Sequence, residues 1–130
     1  MSNLPIAGQL STCTGAIYDD PGFQPVRPHL SAGPPTPDQL SDAASPTEQE
    51  SSILKAYNPK LRACQNDVVQ SLSTAMPSFA PMFSTMFANQ QENFAQLQRG
   101  KLTWGQYNRQ NAEIRDEFGK NFVAEVRKTP

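Results

Sequence analysis

A helix-stop signal followed at once by a helix-start signal forces two helices to fold back on one another, and residues 99–107 carry both. Arg99 places a cation at a helix end, and Gly100 suits the left-handed conformation that closes one. Thr103 can then accept from the backbone N–H of Gln106, whose side chain can reach back to the N–H of Thr103, the reciprocal capping box that opens a helix. Leu102 and Tyr107 stand at the flanking positions of a hydrophobic staple. A connection this short leaves an antiparallel hairpin, placed at residues 81–128.

Helical periodicity surrounds that turn. Phe83, Phe87, Phe94 and Leu97 form one stripe on a helix that starts at Ser78 or Pro81 and ends at Gln98. Beyond the turn, Tyr107, Ile114, Phe118, Phe122 and Val126 define a longer helix ending near Lys128. Upstream, Leu61, Cys64, Val68 and Leu72 make a third stripe, from Pro59 to Ala75. A short leading helix precedes it, capped by Ser45 with Pro46 in its first turn and ended by Asn58-Pro59, since proline disfavours helical geometry in the residue before it. No alternating pattern supports a sheet. The expected fold is all-α: a small antiparallel bundle of three main helices plus the leading one, over residues 47–130.

Eight of the 12 prolines fall in residues 1–46. That segment is expected as a proline-rich extended arm, either disordered or wrapped over the helices with Tyr18, Phe23, Val26 and Leu30 as anchors.

Chemistry is sparse. A net charge of −1 without a basic block gives no footprint for nucleic acid. There is no apolar run of transmembrane length, and residues 1–10 lack a signal peptide's cationic start and apolar stretch, so the expectation is a soluble, unexported chain. Leu10-Ser11-Thr12-Cys13 faintly suggests a lipoprotein cleavage site, but Thr12 fits poorly, which argues against a lipid anchor at Cys13. Cys13 and Cys64 read equally as one disulfide or as two thiols, Cys64 buried and Cys13 incidental. The single histidine, His29, reads as an exposed coil residue, and Glu113, Asp116 and Glu117 as surface ion pairs beside Arg109, Arg115 and Lys120. No catalytic set, cofactor motif or metal-ligand spacing is present.

Phe79, Met82, Phe83, Met86 and Phe87 offer more apolar area than one hairpin partner covers. Such a surplus marks a protein interface or self-association, unless the preceding helices or the arm cover it. Trp104, which no capping role explains, is expected exposed at the hairpin tip as a further partner-binding residue. Met76, Met82 and Met86 could alternatively offer thioethers to Cu(I), although methionines among phenylalanines more often pack a core.

Gly100-Lys101-Leu102-Thr103-Trp104-Gly105-Gln106-Tyr107-Asn108 resembles a turn found in small helical bacterial envelope proteins and lipoproteins of mostly unassigned function. The resemblance implies a periplasmic location and no catalytic residues. The expectation is therefore a non-enzymatic accessory or interaction protein of the cell envelope, with a small-ligand or Cu(I) carrier using the Met/Phe cluster as the alternative.

Overall fold

The computed structural model describes residues 6–31 and 33–128, and within them the chain is all-helical. Five α-helices run in order: α1 (Ile6–Asp19), α2 (Pro37–Leu40), α3 (Glu48–Ala75), α4 (Ala80–Gln98) and α5 (Trp104–Lys128). Two short 3-10 turns, Pro21–Phe23 and Arg27–His29, lie between α1 and α2. Helix α3 packs against both α1 and α4, α4 against α5, and α2 against α5.

The hairpin is built as its sequence predicts. Gly100 takes φ +77°, with Lys101 N–H donating to Gln96 O at 2.9 Å and Gly100 N–H to Leu97 O at 3.0 Å, a Schellman closure of α4. Thr103 and Gln106 form the capping box, at 2.9 and 3.1 Å. Leu102 and Tyr107 are both buried.

The leading helix is a correction. There is no break at Pro59, which lies inside the continuous 28-residue α3, and the helix is capped not by Ser45 but by Thr47, in a second capping box with Glu50. A proline there removes one hydrogen bond and costs about 3 kcal/mol. What offsets it is burial on both sides: Leu54, Tyr57, Leu61, Cys64, Val68 and Leu72 keep one spacing of three and four straight through Pro59. Leu54, Cys64, Val68 and Leu72 are nearly inaccessible, and each large apolar side chain so buried contributes roughly 1.5–3 kcal/mol.

The extended arm is a second correction. No proline stands between Pro5 and Pro21, and this stretch forms α1, which lays Ile17 and the disulfide-bonded Cys13 against α3. The prolines begin only where the chain turns. Pro21 opens a 3-10 turn capped by Asp20, whose carboxylate accepts from Gly22 N–H at 3.0 Å and from the Tyr57 hydroxyl at 2.8 Å. Those two bonds, with Lys60 nearby, hold the Asp20 carboxyl below the usual carboxylate range. The anchors Phe23, Val26 and Leu30 then enter the same core as Leu54, Cys64, Phe94, Leu97, Leu102, Trp104 and Tyr107. Residue 46 is thus no boundary in packing, because side chains from both sides of it share one cluster. A second cluster, at the far end, joins Val68 and Leu72 of α3 to Phe79, Ala80, Met86 and Phe87.

Candidate functional site: a buried hairpin tip and an open α4–α5 groove

Trp104 is not exposed. Its indole is fully buried and stacks on the His29 ring, centroids 4.3 Å apart and planes 8° from parallel. The strap formed by residues 39–44 closes over it and caps α5: Trp104 N–H donates to Ala44 O at 2.8 Å, and Gly105 N–H to Asp42 O at 2.9 Å. These are the first amides of the helix, which no residue within it can satisfy. Asn108 Nδ2 bonds the carbonyls of His29, at 2.9 Å, and Gln39, at 3.1 Å, tying the same strap to the next turn. Gly105 is required by this approach, since a Cβ there would lie 2.6 Å from Leu40 O and 2.7 Å from Asp42 O.

His29 is likewise not a free coil residue. Its Nδ1 lies 2.9 Å from Asp42 Oδ2 and its Nε2 3.1 Å from Glu50 Oε2, with the side chain 26% exposed. Both ring nitrogens are engaged by carboxylates, so the ring has none open to take a substrate proton. The arrangement joins the strap to the first turn of α3.

Most of the Met/Phe cluster is core. Phe79, Met86 and Phe87 are buried with Val68 and Leu72, Phe83 meets the Phe118 edge at 4.6 Å, and Phe79 lies 5.2 Å from Phe122. Helix α3 covers one side of α4 and the second half of α5 another, which absorbs much of the surplus apolar area. As partner-binding residues Phe79 and Phe87 are therefore corrected to packing residues, and Trp104 with them.

What α3 leaves uncovered is a groove of about 1000 Å³ along the opposite side of the α4–α5 hairpin. Met82 and Met86 from α4 and Ile114 and Phe118 from α5 line its apolar part. Met76, exposed at the α3–α4 turn, is not among its lining residues. Glu92, Glu113, Glu117 and Glu125 rim the groove against one cation, Lys128, whose Nζ lies 3.6 Å from Glu125 Oε1. Among the described residues no cation lies within ion-pair distance of Glu113 or Glu117, although Asp116 pairs with Lys120 at 3.5 Å. Inside it, the buried Asn93 donates from Nδ2 to Tyr107 O at 3.1 Å and leaves its Oδ1 unpartnered. Sequence reasoning treated Ile114 and Phe118 only as hairpin stripe and the glutamates as solvated surface. Their signal was the spacing, since Gln110, Glu113, Ile114, Glu117 and Phe118 share one helix face.

Cys13 and Cys64 are joined in a disulfide, Cα atoms 5.9 Å apart. With its sulfur bonded, Cys13 has no thiol to carry a lipid. Among the described residues no group of His, Cys, Asp or Glu is placed to hold a metal ion, and no helix is long and apolar enough to cross a membrane. No protein-family model, curated protein or solved structure matches the chain.

Proposed function

We propose that this chain is a non-enzymatic interaction protein whose α4–α5 groove receives an amphipathic, basic helix of a partner protein. The observation that carries the reading is the groove itself, an apolar trough with an acidic rim; the exposed Met76, Phe122, Val123 and Val126 lie outside its lining. Its lining residues span Gln110 to Lys128 on α5, which at 1.5 Å per residue is roughly 27 Å of trough, the length of a helix rather than of a metabolite. Helix-in-groove recognition uses such a floor for apolar anchors, and the rim's four carboxylates against one ammonium select lysine and arginine on the flanks. The disulfide supports an oxidising compartment such as the periplasm, in keeping with the envelope-like turn.

A fluorescent Leu/Lys amphipathic helix and its Leu/Glu counterpart, titrated by anisotropy at low salt, test this. The Leu/Lys peptide is expected to bind on the order of tenfold more tightly, and Glu113→Lys with Glu117→Lys to remove that advantage with helix content unchanged. The same charge reversals on α3, at Glu48 and Asp67, are expected to leave it in place. Equal binding of the two peptides, or indifference to the groove substitutions, would rule the reading out.

A further inference from the structure

We infer that the partly open pocket between α1, α3, α4 and α5 is a binding site for a small molecule with one carboxylate head and an apolar body, the head paired with Arg115. This site lies on the inner side of α4, shares only Met86 with the lining of the open groove, and does not rest on the proposal for what the groove binds.

The cavity holds about 390 Å³, within the range of roughly 300–1,000 Å³ typical of small-molecule sites. Leu10, Leu61, Met86, Phe87 and Phe94 supply apolar walls from three helices. Among the described residues no aspartate or glutamate lines it, and Arg115 is the one charged residue that does. A guanidinium has five N–H donors. Among the described residues Arg115 uses one group, Nη2, in a 2.9 Å bond to Gly33 O, and no carboxylate lies within ion-pair distance. Arg115 is only half-buried, and beside a largely apolar pocket its attraction for an anion is screened less than it would be in open water.

Further donors converge on the same place. Tyr18 and Tyr107 both line the cavity, and neither hydroxyl makes a hydrogen bond among the described residues. Burial dominates and holds both phenol protons above the usual range, raised further at Tyr107 by Tyr18, and only partly offset by Arg27 and then Arg115 at Tyr18 and by Arg115 at Tyr107. Both therefore remain O–H donors at neutral pH. Asn111 also lines the space, but its unpartnered buried Oδ1 is an acceptor and so is not one of the donors to an anion. A fork of N–H groups in a pocket that two phenols also line matches the acceptor-only carboxylate, whose two oxygens take several donors. With a single guanidinium, a doubly charged phosphate would keep an uncompensated charge, so the monoanion fits better.

Calorimetric titration of the intact, oxidised protein with octanoate, octanol and octylammonium separates head from body. Octanoate is expected to bind at least about tenfold more tightly than octanol, and octylammonium to give no measurable binding. In Arg115→Met the preference for octanoate over octanol is expected to vanish, whereas Arg115→Lys, which keeps the charge but loses the fork, retains part of it. Gly15 lines the cavity and a side chain there would meet open space, so Gly15→Leu is expected to block both ligands in a folded protein. The wild-type comparison and Gly15→Leu keep the test decisive should Arg115→Met fold poorly. Equal affinity for octanoate and octanol, no octanoate binding at millimolar concentration, or unchanged octanoate binding in Gly15→Leu would overturn the assignment.

Discussion

Trp104→Ala is expected to cost about 3–5 kcal/mol of folding stability, the range for emptying a large buried aromatic site. The indole has no exposed surface, stacks on His29 at 4.3 Å and lies under a strap whose carbonyls cap the first amides of α5. Its removal leaves a void that the strap can fill only by releasing Ala44 O and Asp42 O from those amides. An exposed tryptophan at a hairpin tip would cost no more than about 0.5 kcal/mol, so the two placements differ severalfold. Urea unfolding followed by far-UV circular dichroism reads the difference directly. Trp104→Phe refines the result: Trp104 Nε1 is buried without a partner, so phenylalanine keeps much of the stacking area and removes an orphan donor. It is expected to be markedly milder than alanine.

Breaking the disulfide is the other large effect. Cys13 and Cys64 are 51 residues apart in sequence, and closing a loop of that length is worth about 4 kcal/mol in the chain-entropy model. For a chain of 130 residues that corresponds to a fall of about 15 °C in Tm. Cys13→Ser is the cleaner variant, because Cys64 is almost inaccessible and serine there would also bury a hydroxyl. Beyond the global loss, α1 would be held to α3 only by packing through Ile17 and its neighbours, so its amides should exchange hydrogen faster than those of α3. Thermal unfolding with and without reductant measures the first effect, and residue-resolved exchange the second. A Tm indifferent to reductant would show that the bond does not staple the fold.

The hairpin was legible because its determinants are neighbours in sequence. Gly100, Thr103 and Gln106 act on backbone groups within a few residues, and the stripes of α4 and α5 are periodic over many turns. Pro59 misled because its local preference is real, yet the apolar spacing from Leu54 to Leu72 already ran through it, and packing on that face outweighs one lost hydrogen bond. In the first 46 residues, proline content averaged over the whole segment hid the proline-free run that becomes α1. Nothing local revealed the burial of Trp104, which depends on His29 and residues 40–44, some sixty or more positions away. Gly105 held the clue: a glycine in the first turn of a helix marks a close backbone approach, and here two carbonyls occupy the space of its missing Cβ.

The candidate site divides in the same way. Met82 and Met86 were identified by spacing and do line the groove, but helical periodicity reports only that a face is apolar, not which neighbour covers it. Phe79 and Phe87 went to α3 and the core, and the groove took its other wall, Ile114 and Phe118, from α5. Spacing puts Glu113 and Glu117 on one face of α5, but the rim as a whole has no signature in sequence, because Glu92 of α4 joins the same groove only once the hairpin closes.

The central claim is that the first part of the chain is built into the fold and seals the hairpin tip, leaving recognition of a partner helix to the groove. Trp104 is the only tryptophan, so its emission reports that claim without interference. In the full-length native protein the emission is expected to be blue-shifted and protected from acrylamide, reaching the wavelength and quenching of free tryptophan only on unfolding. Native emission at the wavelength of a solvated indole, quenched as freely as in the denatured chain, would contradict it.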